Sequence, residues 1–572
     1  MANPPRAPLD DNYSVITIND FSGGMVTIAS PLVLGSNQSP SILNCIPLPG
    51  RLQYRGGTQN ICDLPANPDA AYEFFDSNGG KHYVVWAGGS LYDCVTGVAV
   101  AIENAVYTAG QRIGVVDYNG SLYWSTGMPN PVPIRIWTPS TGAKGAVVST
   151  GPDATPASDF LFLYTNAIVC LAPYWPGSGT YQPNVFAWAG INNPSYWNAA
   201  SSQAVGALNN GRLEFAMPFG ISAEGVQPFE NIIVGRNDLG IFAYSGALGS
   251  FHEALLNCPF GVRDRDTVQY LPTDGMFGTL VYLATDGQVW GTNGINCAPI
   301  SGNILNALRD AYRLAIANDP KQRFFSGYNQ QWNYYWLDIA GTQFVYRWEQ
   351  KAWAKFQGWP SGPSFNAIDG SGAPANFIAA RGGNYLAQVG VIGIGDNGAM
   401  PNISYTTPVL HGGDWNRFKE FHWGAIATYD TGAKYQMAAT SIKRSDNSQM
   451  VATSQTMTAP GQTGTPFIVG QSLLGGPDVL GGVAPGGSGT PVIMQGRFAV
   501  PIPADEWFPQ GHNETLKGNG AQLTISYAGG AKAFDLLGVE VLYVPRGYRR
   551  GSGTSYNPED LTGQPFDPFV VQ

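Results

Sequence analysis

A short apolar run, a tight turn and an aliphatic-aromatic return recur along the first 400 residues, and this repetition constrains the fold more than any other feature. The clearest copy is Leu283-Ala-Thr-Asp-Gly-Gln-Val-Trp-Gly291, led in by Leu280-Val-Tyr. Asp286-Gly287 supplies the positive-φ positions of a two-residue hairpin, and Val289-Trp290 begins the return strand. Related copies are Ala87-Gly-Gly-Ser-Leu-Tyr92, Tyr118-Asn-Gly-Ser-Leu-Tyr-Trp124, Asn237-Asp-Leu-Gly-Ile-Phe242 and Ala380-Arg-Gly-Gly-Asn-Tyr-Leu386. Turns at Gly240, Gly287, Asn333 and Gly383 fall about 46 to 50 residues apart, the period of a four-stranded blade that buries its faces only against neighbouring blades. The fold class expected is therefore all-β: a β-propeller of six or seven blades over residues 61–397.

An N-terminal arm with lead-in strands occupies residues 1–60 in this reading. One helix is expected at about 301–318, where Ile304, Leu305, Leu308, Tyr312, Ala315 and Ile316 make one apolar stripe and Pro320 ends it. Its expected place is over the ends of blades. After residue 397 the blade pattern stops, and 398–550 reads as a β-sandwich interrupted by a Gly/Pro-rich loop, 459–491. That loop carries Phe467, Ile468, Val469, Leu473 and Leu474, apolar side chains that would lower solubility in water, so its tip is expected to meet another subunit. Residues 551–572 read as an extended tail, with Phe566 and Phe569 flanking Asp567-Pro568, that could dock on a neighbour.

Composition narrows the function. Only 12% of the 572 residues are charged, about half the usual share, which fits a surface covered by other subunits. The net charge is −10, and the only compact basic group is Arg546-Gly-Tyr-Arg549-Arg550, so tight phosphate-driven nucleic-acid binding is not expected. Six cysteines, Cys45, Cys62, Cys94, Cys170, Cys258 and Cys297, stand far apart without a C-x-x-C pair, which predicts buried free thiols in a reducing cytosol. The opening Met1-Ala-Asn-Pro-Pro-Arg lacks the pattern of a secretory signal, and no run of 18 apolar residues occurs, so no membrane-spanning segment is expected.

A search for catalytic chemistry finds none. His252-Glu253 begins like a zinc-protease helix but continues Ala-Leu-Leu, and His82, His411, His422 and His512 are isolated. Thr285-Asp-Gly-Gln-Val-Trp290 is a hairpin rather than a sialidase aspartate box. The expectation is a non-enzyme with no cofactor and no metal. Trp175, Trp188, Trp197, Trp332 and Trp336 are candidate sugar platforms, although aromatics at strand positions belong more often to blade cores.

Three ordered stretches carry a family resemblance. The first comprises Phe21, Gly23, Gly24, Gln38, Ser39, Asn44, Gly50, Leu52, Arg55 and Gly57, with the spacing G-x-L-x-x-R-x-G in 50–57. A turn running from Gly190 through Pro194 to Trp197 is the second, and Gly538-Val-Glu-Val-Leu-Tyr-Val-Pro-Arg-Gly547 the third. Together they resemble the tail nozzle proteins of short-tailed bacteriophages, the family of tail tubular protein B and the packaged-DNA stabilisation proteins. That resemblance implies a structural virion protein in a hexameric ring, assembled in the host cytoplasm and carried in the virion tail. Its implied partners are a tail adaptor, tail fibres or spikes, and viral DNA passing through the channel without sequence recognition. The negative charge fits an acidic wall that repels DNA and keeps it sliding. Candidate assembly contacts are Phe467, Ile468, Val469, Leu473, Leu474, Arg546, Arg549, Arg550, Phe566 and Phe569. The alternative from another class is a carbohydrate-binding or carbohydrate-cleaving propeller.

Overall fold

The computed structural model describes residues 14–548, apart from 206–210, 220–230, 272–278, 392–394, 430–432, 444–448, 459–465, 468–478, 481–490, 503–511, 531–533 and a few one- or two-residue breaks. Six four-stranded antiparallel sheets stand as separate blades, and a seventh four-strand set, Phe325–Asn329 to Ala352–Gln357, continues at its outer edge into a larger sheet. In chain order the blades span 68–103, 113–146, 161–204, 213–255, 269–299, 325–357 and 364–391, and are called blades 1 to 7 below. Blade 7 takes its outermost strand, Gly57–Asp63, from the N-terminal region, where it pairs with Tyr385–Val391. The ring is thus closed by a strand that precedes blade 1.

Adjacent blades bury aromatic and β-branched side chains between them, as the strand composition requires. Trp86, Leu91, Ile113, Leu122 and Trp124 fill the space between blades 1 and 2. Trp197, Trp175, Ile168 and Tyr123 do the same between blades 2 and 3. The helix Leu305–Asn318, preceded by a 3-10 turn Gly302–Ile304, turns Ile304, Leu308 and Ala315 inward. Tyr312 on this helix lies over the Asp286-Gly287 hairpin, where a Cβ on Gly287 would come within 2.7 Å of its ring. The helix therefore packs on a blade end, as its apolar stripe predicts.

The sandwich is built from both ends of the chain. One sheet runs Pro491–Arg497, Arg417–Tyr429, Asp535–Tyr548, Arg51–Tyr54, Cys45–Leu48, with Ser14–Ile18 added on Asp535–Tyr548. The other continues from blade 6 through Ser41–Leu43, Ser404–Thr406, Gly520–Gly530 and Ala433–Ile442 to Gln449–Val451. Between them lie Ile42, Leu52, Phe421, Ile426, Tyr435, Leu523, Ile525, Leu536, Val539 and Val541, in one core with blade 6 and the helix. The lead-in strands of 41–54 thus belong to the sandwich.

Cys45, Cys62, Cys94 and Cys170 are buried free thiols. Cys258 and Cys297 depart from that expectation: they form a disulfide between the segment after blade 4 and the outer strand of blade 5, their Cα atoms 5.4 Å apart. Separation by 39 residues concealed the pair, because blade-to-blade packing rather than sequence spacing brings them together. Among the described residues no helix is long and apolar enough to cross a membrane.

Candidate functional site at the propeller–sandwich joint

Arg55 lies in a residue run that leaves the sandwich and enters the closing strand of the propeller. It is fully buried. Its Nε donates to Asn44 Oδ1 at 2.9 Å, and Nη1 donates to Gly56 O at 2.8 Å and Asp396 Oδ1 at 3.0 Å. Nη2 donates to Gln357 O at 2.7 Å and meets Asp396 Oδ2 at 2.5 Å. Every guanidinium donor is engaged, and the carboxylate is held bidentately, the arrangement for which arginine is suited and lysine is not. The aromatic rings of Trp359, Phe356 and Tyr54 surround the cation at 5.0, 5.7 and 5.8 Å.

Asn44 completes the node from a left-handed backbone conformation, φ 58°. Besides Arg55, its Oδ1 accepts Gln357 N–H at 2.7 Å, and its Nδ2 donates to Asn402 O at 2.6 Å. One arginine and one asparagine thereby join the lead-in strands, the end of blade 6, the exit from blade 7 and the entry to the sandwich. Gly56 must be glycine here, since at φ 77° a Cβ would stand 2.5 Å from the Gly390 carbonyl carbon.

Phe21, Gly24, Gln38 and Ser39 of the first stretch pack on blade 6 and on the sandwich strand 404–406. Phe21 is buried with its ring edge-on to Tyr405, centroids 5.3 Å apart. Gly24-Met25 pairs in parallel with Gln38-Ser39, and a Cβ on Gly24 would reach within 2.8 Å of Ala352 and Trp353 in blade 6. Ser39 Oγ donates to Thr406 O at 2.6 Å. The second stretch is blade core: Trp197 is buried and its Nε1 donates to Pro194 O at 3.1 Å. The third is sandwich core, with Val539 and Val541 buried and Tyr543 packed on Phe421, centroids 5.9 Å apart.

Of the candidate contact residues, Arg546 and the backbone of Phe467 fall among the described residues. Arg546 is 55% exposed and pairs with Glu420 at 2.8 Å. The backbone of Pro466-Phe467 pairs in parallel with Val479-Leu480. Ile468, Val469, Leu473, Leu474, Arg549, Arg550, Phe566 and Phe569 lie outside the described residues. Of the candidate sugar platforms, Trp175, Trp197 and Trp336 are buried and present no ring face to a ligand. His252-Glu253 lies on the exposed outer strand of blade 4. Among the described residues there is no cluster of three or more His, Cys, Asp or Glu side chains able to hold a metal. A shallow recess of about 200 Å³ on the outer face of the sandwich is lined by Thr17, Ala425, Ala427, Ile493, Gly538 and Glu540, a sparse set of polar groups for small-molecule recognition.

The fold and joint define this protein as a β-propeller with an appended sandwich. No family model matches the chain, and no curated relative matches its sequence. Among solved structures it is similar to the extracellular domain of a one-component system from B. thetaiotaomicron at 10% identity and TM-score 0.35, covering 58% of this chain and 40% of that one. The extracellular domain of a hybrid two-component system from the same organism matches at 10% identity and TM-score 0.40, covering 70% and 53%. The β-propeller domain of Cps50 (Swd1) from Myceliophteria thermophila matches at 7% identity and TM-score 0.36, covering 58% of this chain and 99% of that one. The chain spans about half the length of the first two. The propeller assignment rests on the sheet topology itself.

Proposed function

We propose that this chain is a structural virion protein, the tail nozzle of a short-tailed bacteriophage, forming a ring whose acidic central channel retains and then conducts viral DNA. The observation that carries the reading is the joint. Two residues of the N-terminal resemblance, Asn44 and Arg55, form with Asp396 the node that fixes propeller to sandwich, while Phe21, Gly24 and Ser39 pack on blade 6 and on the sandwich strand 404–406. A motif with that architectural duty fits a family defined by its two-part architecture. The low charge content and net charge of −10 agree with a subunit whose neighbours cover much of its surface and whose lumen repels DNA.

The test is single-particle imaging of the purified chain and of assembled particles. A ring of about six copies around an axial channel at a capsid vertex is expected; a peripheral fibre or spike position would overturn the reading. Replacing lumen carboxylates by lysine should slow genome ejection, because screening extends over only about 8 Å at physiological salt and the DNA passes close to the wall.

A further inference from the structure

The seam between blades 7 and 1 holds a pair of thiols that neither the joint nor the nozzle reading uses. Cys62 lies in the closing strand Gly57–Asp63, opposite Leu386, and Cys94 follows directly on the third strand of blade 1, Ser90–Asp93. The turn 94–97 rests on the closing strand. Gly97 N–H donates to Cys94 O at 3.2 Å, and a Cβ on Gly97 would stand 3.6 Å from Ile61 O. Cys94 N–H donates to Tyr83 O at 2.8 Å, which fixes the turn to blade 1. Cys62 and Cys94 are 2% and 0% exposed and share one core with Leu64, Tyr83, Val85 and Phe377. Within that core the Cys94 thiol donates a hydrogen bond to the Cys62 sulfur.

The chain already carries a bridge at the corresponding place on another seam. Cys258 follows the outer strand of blade 4, Cys297 opens the outer strand of blade 5, and the two are joined. Cys62 is likewise in the outer strand of one blade, and Cys94 stands at the step into the outer strand of the next. In both pairs the chain runs from the first cysteine straight into the inner strand of the second blade. The seam at Cys62 differs in one respect: its outer strand is the one that closes the ring, held on blade 7 by backbone pairing to Tyr385–Val391. A bond from Cys62 to Cys94 anchors that strand on blade 1 at the place where blade 7 must find it.

We propose that Cys62 and Cys94 are a modification site, a dithiol that a low-molecular-weight disulfide converts into a second bridge, latching the closure of the ring. The Cys62 thiolate attacks one sulfur of the reagent R–S–S–R, forming a mixed disulfide and releasing one thiolate R–S⁻. Cys94 passes its proton to that thiolate and attacks the Cys62 sulfur, expelling the second R–S⁻, which takes up the proton Cys62 gave to solvent. Two cysteines are oxidised by two electrons, and one reagent disulfide is reduced to two thiols. Cys62 is suited to begin, because the hydrogen bond from Cys94, opposed by burial, lowers its pKa. Cys94 is raised first by that same hydrogen bond and then by burial, and it is released from the first cause once Cys62 is capped. Cys62 stands next to the last residue of an outermost strand, where fraying admits a small reagent, so burial slows the reaction without forbidding it.

The test is thiol counting and peptide mapping of the full chain after incubation with cystamine at about pH 8, in buffer and in urea below the unfolding transition. The four free thiols should fall to two, with Cys62 and Cys94 recovered in one cross-linked peptide and the Cys258–Cys297 bridge unchanged. Cys94→Ser should stop at a mixed disulfide on Cys62, heavier by one cysteamine. Thermal scans read the latch itself: the chain bridged at Cys62 and Cys94 should melt roughly 2–5 °C above the chain with both thiols free. Four thiols still free after a day under both conditions, or separate mixed disulfides on Cys62 and Cys94 with no cross-link, would overturn the site. A bridged chain that melts no higher would overturn the latch.

Discussion

Asp535 and Gln53 face each other across the two-residue pairing that attaches the lead-in strand 51–54 to the last sandwich strand. Asp535 Oδ1 and Gln53 Oε1 are both buried acceptors without a hydrogen-bond partner. Register sets the two side chains on the same face, where a protonated Asp535 supplies the donor that Gln53 Oε1 lacks. Burial, opposed by Arg51, pushes the Asp535 carboxyl up to about 6, so the folded chain holds that proton into mildly acidic solution. The charged and titratable groups around it are Arg51 on the same strand pair, Cys45 on the adjoining strand and Tyr435 beneath.

The sign follows from linkage. The folded pKa lies above the unfolded value, so between about pH 4 and 6 the native state binds more protons, and stability falls as pH rises through that window. A shift from 3.8 to about 6 corresponds to about 3 kcal/mol at full burial. Partial exposure of the residue reduces this to about 1–2 kcal/mol. Asp535→Asn places an amide N–H where the proton was, donating to Gln53 Oε1 at every pH. Thermal scans of both proteins from pH 4.5 to 8 should show the smallest gain at the acid end and a gain growing to its full value above pH 6.5. Taking the difference cancels the other carboxyls, including Asp338, which burial also pushes to about 6. An asparagine variant less stable at all pH values would refute the reasoning. It would mean that the Gln53 amide is turned to donate to an ionised Asp535.

Arg55→Met leaves the half-enclosed Asp396 carboxylate without its cation and Asn44 Oδ1 with only the Gln357 N–H, and should cost about 3–5 kcal/mol in denaturant unfolding, with Arg55→Lys recovering only part. Gly287→Ala must force a left-handed φ of 77° and displace the Tyr312 ring, so a loss of about 1–3 kcal/mol is expected, read as a lower melting temperature. Trp336→Phe removes the 3.1 Å donation from Nε1 to Asn376 Oδ1 inside the blade 6–7 contact and should destabilise by about 1–3 kcal/mol in the same assay.

The propeller was legible from turn chemistry, yet the alignment behind the repeat was mixed. Gly89, Gly240, Gly287 and Gly382 stand between second and third strands, whereas Asn119-Gly120 and Asn333 stand between first and second strands. Both turns need positive φ and both return into an aliphatic-aromatic pair, so local sequence does not distinguish them. The turn equivalent to Gly287 in blade 6 is Ala340-Gly341, at φ 51° and 86°. Blade 7 hid its fourth strand, because Gly57–Asp63 pairs with a partner more than 300 residues away. The lead-in strands 41–54 were unreadable for the same reason. Buried ion pairs left a trace that could have been followed: Arg112, Asp159, Arg212, Asp264 to Asp266 and Arg323 each stand just before the first strand of blades 2 to 6, and they pair across blades, Arg112 with Glu214 and Asp264, Arg212 and Arg265 with Asp159, Arg323 with Asp266. A charge recurring at that position in five successive blades points at a shared centre, whatever the turn spacing.

The route of the chain explains why the joint must be made so carefully. Residues 41–54 complete both sandwich sheets, and Gly57–Asp63 then closes the propeller, with only Arg55 and Gly56 between the two duties. A displaced joint would shift register in three sheets at once, and a one-residue slip turns every side chain of a strand to the wrong face. Burying a guanidinium is costly unless all its donors are met, so the node tolerates one arrangement of blade 6, the blade 7 exit and the sandwich entry and penalises others. Apolar packing alone would be more permissive, since hydrophobic surfaces slide at modest cost. The polar node therefore supplies geometric specificity, while the core that runs from blade 6 and the helix into the sandwich supplies stability. Propeller and sandwich are in this sense one folding unit, closed by a segment that belongs to both.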